Sequence, residues 1–164
     1  MSADALAVEL DGARVEWEAD ALRALASGVP AGAPWRLEGE LDWEAFDSLG
    51  VVSAAFEDGT LLAVVAARPA GAAGHDSPPL GVLVLPDGEV VELAEALLST
   101  EYDAEGAPSR IGLELYRELD GIPMRVAADR ESPAQARDGG ETTPMSFRLE
   151  GAGGAGLFDR VKRG

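Results

Sequence analysis

The sequence predicts an all-β fold, mainly antiparallel with one short helix, and three observations carry that prediction. Asp-Gly pairs stand at Asp11-Gly12, Asp58-Gly59, Asp87-Gly88 and Asp120-Gly121. This dipeptide suits a two-residue type I′ turn, whose central positions both need positive φ. Folding the flanks of each pair together brings apolar residues onto shared faces, as half-buried hairpins require. About ten or eleven extended segments follow, joined mostly by short connections. Neighbours in the chain are then neighbours in the sheet, which favours an up-and-down β-barrel or a strongly curved meander, with a two-sheet sandwich as the alternative.

Around Asp11-Gly12, Leu10 meets Ala13, Val8 meets Val15 and Leu6 meets Trp17, while Glu9 meets Arg14 on the other face. The next stretch, Asp20 through Ser27, has an N-cap candidate in Asp20, apolar Ala21, Leu22, Leu25 and Ala26, and Gly28 just beyond, which reads as a short helix. Residues 35–41 alternate like a strand, and 43–49 read as a helical turn or further strand. Around Asp58-Gly59, Phe56 faces Leu61, Val52 faces Val65, Ala55 faces Leu62 and Val51 faces Ala66. Both faces are apolar, so this hairpin needs cover on both sides, from a helix, a second layer or a partner chain.

Around Asp87-Gly88, Leu85 faces Val90, Val84 faces Val91 and Val82 faces Leu93, with Pro86 at a strand end. A strand over 97–103 is expected next, although residues 92–98 also have helix propensity. Around Asp120-Gly121, Leu119 faces Ile122, Leu115 faces Val126 and Leu113 faces Ala128. Residues 69–79 and 131–142 read as loops. The division expected is one antiparallel β domain over 1–150 and a flexible, Gly-rich tail over 151–164.

Composition narrows the function classes. The chain has 164 residues, which fits one domain, and its 46% hydrophobic content is enough for a sizeable core. Aromatics make up only 5%, so that core must rest on aliphatic residues. Acidic residues outnumber basic ones 30 to 13, for a net charge of −17. Such a surface repels phosphates and anionic headgroups, so neither nucleic acid nor a membrane is an expected partner. Cysteine is absent, which removes disulfides, zinc-thiolate sites and thiol nucleophiles. The start of the chain shows no basic, then apolar, leader pattern, and no apolar run approaches the ~18 residues of a span. The expected location is the cytoplasm.

Few residues offer chemistry. Gly151 to Gly156 matches the G-x-G-x-x-G spacing, but too little chain follows for a dinucleotide fold, so no cofactor is expected. The single His75 sits beside Asp76 in a Gly/Pro-rich stretch, and with no cysteine it argues against a transition-metal site. Acid–base work would fall to carboxylates, Tyr and Arg. The strongest local constellation is Glu114, Tyr116, Arg125 and Asp129 on one face of the 120-centred hairpin, with Tyr116 opposite Arg125. Lining a barrel interior, that face would hold a carboxylate with a raised pKa; facing water, it is a set of cross-strand charge pairs. Trp17, Trp35 and Trp43, with Tyr102, are either the walls of a cavity for an apolar ligand or plugs of the core.

Between Gly74 and Arg130, the runs Gly-His-Asp, Leu-Ser-Thr-Glu-Tyr-Asp-Ala-Glu-Gly, Arg-Ile-Gly-Leu-Glu-Leu-Tyr and Ile-Pro-Met-Arg-Val-Ala resemble a lipocalin-like β family. That family includes carotenoid hydratases and AttH-type proteins. The resemblance implies a barrel for a hydrophobic small molecule and, in some relatives, acid-catalysed hydration or cyclisation. Its members carry two such barrels, whereas this chain has room for one. The expectations are therefore a binder of a small apolar molecule, a carboxylate-dependent hydratase, cyclase or isomerase, or a homodimer joined through the 51–67 hairpin.

Overall fold

A computed structural model describes residues 5–10, 13–28, 33–40, 46–69, 80–137 and 140–162. Trp43, His75 and the Asp11-Gly12 corner lie outside these residues. The chain opens with a small antiparallel sheet in the order β1 (Ala5–Leu10), β2 (Ala13–Glu18), β3 (Trp35–Gly39). Its first register is the expected one: Leu6 faces Trp17, Val8 faces Val15, and Glu9 faces Arg14. Between β2 and β3 lie a short helix, α1 (Ala19–Arg23), and a 3₁₀ turn over Ala24–Ser27. Asp20 is not the cap: the helix starts after Glu18, and Asp20 sits in the first turn, bonded to Arg23 at 2.7 Å.

The remaining strands are β4 (Phe46–Phe56), β5 (Leu61–Pro69), β6 (Leu80–Val84), β7 (Val90–Glu92), β8 (Glu95–Tyr102), β9 (Pro108–Tyr116), β10 (Met124–Arg130), β11 (Gln135–Arg137), β12 (Gly140–Leu149) and β13 (Ala152–Lys162). They form one sheet in the order β7-β6-β5-β4-β13-β12-β10-β9-β8, with β11 paired to β12. Every pairing is antiparallel, and the path is an up-and-down meander whose last strand returns to pair with its first. A single seam interrupts it. There Leu93 N–H donates to the Gly81 carbonyl on β6 and Ala94 N–H to the Tyr116 carbonyl on β9, so one extended stretch passes from one sheet edge to the other. The sheet is thus strongly curved and barrel-like, and one continuous ladder replaces the two facing layers of a sandwich.

Two cores follow from this curvature. The concave face is filled by side chains that include Leu62, Leu83, Ile111, Leu115, Met145, Phe147 and Phe158. On the outer face of β4, β5, β6 and β13, Leu49, Val51, Val65 and Leu157 pack against Val15, Trp17, Leu22 and Leu25 of the small sheet and helix. The two-sided 51–67 hairpin therefore gets both its covers from within the chain.

Several expectations are corrected. The flexible tail is β13, an eleven-residue strand ordered between β4 and β12. Its glycines are there for close approach: a Cβ on Gly154 would lie 2.6 Å from the Ala55 carbonyl oxygen, and one on Gly156 would strike Ser53 and Ala54. The 131–142 loop contains β11 and the start of β12, and of residues 92–98 none is helical: Glu92 ends β7 and 95–98 begin β8.

The Asp-Gly corners are also built differently. At Asp58 and Asp87 the loops hold three residues, with Phe56 N–H bonded to the Thr60 carbonyl and Leu85 N–H to the Glu89 carbonyl. Gly59 and Gly88 occupy the third position at φ 96° and 92°, and each Asp accepts the N–H two residues on. Registers there move by one: Val52 faces Val64, and Val84 faces Val90. At Asp120-Gly121 the register moves by two, so Leu115 faces Met124 and Leu113 faces Val126. A shift of two keeps each side chain on its face, but it leaves Leu119 and Ile122 exposed at the tip. Pro123 favours this longer loop, since it has no N–H for the ladder. Among the described residues, a two-residue turn with both φ positive stands at Glu150-Gly151, between β12 and β13.

Candidate functional site

The small sheet packs over the outer face of β4, β5, β6 and β13. Over β8, β9, β10 and the end of β12 the outward side chains meet solvent, and there the sheet carries an open groove of about 880 Å³. Strand register builds it. Ser99, Gly112, Ala127 and Arg148 stand side by side across four strands, and Leu97, Glu114 and Arg125 form the adjoining row. Small side chains in the first row make the floor, and the larger ones of the second row, with Glu150 at the end, make a wall.

The constellation expected for acid–base chemistry lies on this wet face, because Leu113, Leu115, Val126 and Ala128 take the concave side. Arg125 stands opposite Glu114 rather than Tyr116, a consequence of the two-residue register shift. The Tyr116 hydroxyl donates to Glu114 Oε2 at 3.3 Å, and desolvation together with the Glu114 charge raises the phenol above its ordinary pKa. Asp129 is separate: it accepts from Arg110 Nε at 2.8 Å, one row beyond the groove floor. Glu114 and Arg125 share the groove, and Tyr116 touches it through Glu114.

The aromatic residues do not converge on one cavity. Trp17 is wholly buried in the outer core and donates from Nε1 to Ser53 Oγ at 2.9 Å. Trp35 is half-buried beside it and donates from Nε1 to Asp159 Oδ2 at 2.7 Å. Both are plugs that fasten the small sheet onto β4 and β13. Tyr102 lies at the opposite end of β8 from the groove wall, half-exposed, with the Arg160 guanidinium 5.4 Å from its ring centre.

Two polar clusters escaped the sequence reading, and both depend on β13. Asp159 is buried between the sheets and accepts from Trp35 Nε1 and Thr142 Oγ1. Burial pushes its carboxyl above the usual range, against the opposing pull of those two donors and of the Arg137 charge. On the concave side, Arg160 lies 2.8 Å from Glu141 Oε1, and Arg130 donates to Asp103 Oδ2 at 2.6 Å. The signal was the bulky run Leu157 to Val161, which follows the glycines and has strand character.

Among the described residues no three metal-ligating side chains stand together, and no helix is long and apolar enough to cross a membrane. No family model matches the sequence, and no curated protein does. The fold does match solved structures. Kievitone hydratase from Nectria haematococca superposes with a TM-score of 0.52 at 11% identity, over 78% of this chain and 43% of the hydratase. A putative AttH protein from Nitrosomonas europaea gives 0.55 at 11% identity, over 76% of this chain and 42% of that one. The chain thus spans less than half of each neighbour, and the likeness is one of fold. At that level it agrees with the lipocalin-like, hydratase-related resemblance of the sequence.

Proposed function

We propose that this chain is a binding domain for a small, mostly apolar molecule held in the outer groove. The observation that carries the reading is the groove itself. At about 880 Å³ it falls within the usual range of small-molecule sites, and its lining is mainly apolar. The concave interior is the weaker place for a ligand, since Met145, Phe147, Leu115 and their neighbours fill it. A structural neighbour named as a hydratase supports small-molecule work on this fold.

Nile red, a neutral apolar dye, provides the test. It should bind with a stoichiometry of one, and Ala127→Trp, which fills the floor at an exposed position, should abolish binding without lowering the melting temperature. Equal binding by the variant would refute the assignment. Native mass spectrometry of freshly purified protein would weigh any molecule retained.

A hydratase, cyclase or isomerase reading uses the same groove, because Glu114 lines it and holds the Tyr116 hydroxyl. Glu114→Gln would then end turnover while leaving dye binding intact.

A further inference from the structure

We infer that the outer face of β8, β9, β10 and β12 is the interface of a symmetric dimer, in which a second copy of this chain lies face to face with the first and closes the groove. Charge over that face is laid out as a square. Strand register sets Glu114 opposite Arg125, and two residues along the strands it sets Arg110 opposite Asp129, with Gly112 and Ala127 in the row between. Acid and base thus alternate around the four corners, and the centre is small and uncharged.

A twofold axis that runs along the strands, between β9 and β10, makes this square its own complement. Such an axis exchanges the two strands, so Glu114 of each copy meets Arg125 of the other, and Arg110 meets Asp129. The same operation sets β8 against β12: Leu97 meets Glu150, Ser99 meets Arg148 and Glu101 meets Ser146. No two like charges come together. An axis across the strands, through the middle row, would also pair the corners, but it would bring Arg148 onto its own copy. Charge therefore selects the axis as well as the partner. The strands of the two copies then run side by side, as in an aligned sandwich, whose sheets cross at about 30°.

Apolar surface and unspent charge lie on the same line. The β9–β10 tip straddles the axis, so Leu119 and Ile122, 69% and 94% exposed, meet their counterparts there. Among the described residues Arg125 has no ion pair within its own chain, although Glu114 stands opposite it, so its guanidinium is available to the partner. The chain as a whole repels its copy, with a net charge of −17. Over this face, however, Arg110, Arg125 and Arg148 nearly balance the carboxylates, and salt screens the more distant repulsion beyond about 8 Å. Floor lies over floor in this arrangement, so the two grooves join into one enclosed space between the copies. The dimer goes beyond the ligand reading and does not rest on it.

Sedimentation velocity on the full chain, from about 1 to about 200 μM in about 0.15 M salt, reads the association state. The chain should sediment as a dimer in the upper part of that range. Glu114→Arg and Arg125→Glu each create like-charge contacts across the axis, and each alone should weaken the dimer at least about tenfold. Mixed in equal amounts, the two variants should form dimers again, because the arginine introduced in one copy meets the glutamate introduced in the other. A charge pair that served only the fold would show no such recovery. A monomer at every concentration, a dimer indifferent to both charge variants, or a mixture that stays monomeric would overturn the proposal. Should either charge variant fail to fold, Ile122→Glu decides, at a side chain exposed enough to leave the fold intact. A dimer weakened about tenfold by it supports the interface, and one of unchanged strength overturns it. Nile red bound by a chain that stays monomeric would overturn the dimer and leave the ligand reading standing.

Discussion

At Glu150 a glutamate occupies the left-handed region, with φ 48°, at the first position of the β12–β13 turn. Glycine or asparagine is the usual occupant, because a longer side chain pays about 1 kcal/mol of strain there. Its carboxylate reaches the Arg125 N–H only at 3.4 Å, a weak return. Glu150→Asn should therefore stabilise the domain by a few tenths to about 1 kcal/mol in urea titration. Asp159 makes a second prediction at this scale. Its raised carboxyl pKa means that the folded chain holds this proton more tightly than the unfolded chain. Between the ordinary Asp value and the raised one, stability should fall as pH rises. Asp103, whose carboxyl is lowered chiefly by its hydrogen bond from Arg130, slopes the other way: its contribution is present above the ordinary Asp value and is lost as pH falls through the lowered one. Asp159→Asn should remove the first slope and leave the second, as acid titrations of the melting temperature would show. The tryptophans fit the same scale. Composition could say that they are large and few, but only the fold shows that Trp17 and Trp35 spend their N–H groups on Ser53 and Asp159.

At the scale of elements, alternation gave the shared face of the 120-centred hairpin but not of the Asp58 and Asp87 hairpins, where the one-residue shift puts the expected partners Val52 and Val65, and Val84 and Val91, on opposite faces. Leu113, Leu115, Val126 and Ala128 are all on the concave side as the pattern requires. Turn length was the part it could not supply. Asp-Gly fits both a two-residue turn and the end of a three-residue loop, and Pro86, which favours the first loop position, is the local signal for the longer form. The β9–β10 register had the same ambiguity, and Pro123 resolved it. β13 was misread for a different reason. In the sequence a run of glycines reads as flexibility, whereas Gly154 and Gly156 leave room for the β4 backbone. Gly154→Val should destabilise by about 1–3 kcal/mol or more, since its side chain would overlap the Ala55 carbonyl and the Phe56 ring. Gly88→Ala is the contrasting case. Nothing stands within 4 Å of a Cβ there, so only the cost of φ 92° remains, about 1 kcal/mol.

For the molecule as a whole, β13 is what makes the parts cohere. It pairs with β12 on one side and β4 on the other, closing the meander. Its outward residues Leu157 and Asp159 anchor the small sheet, and its inward residues Phe158 and Arg160 fill and cap the concave face. Because the small sheet rests on the β13 side, the opposite half of the surface stays open, and the groove lies there. The fold class was legible in the hairpin pattern, whereas the sequence pointed to a cavity inside a barrel rather than to a groove on the outer face. The way the chain ends was not legible either, because pairing β13 with β4 joins segments about a hundred residues apart, and no local pattern reports that. Amide hydrogen exchange over 152–162 tests this account most directly. Leu157 and Phe158 should exchange as slowly as Val52 and Val64, at the rate of global unfolding. Exchange of that segment within seconds, with β4 and β5 still protected, would contradict it.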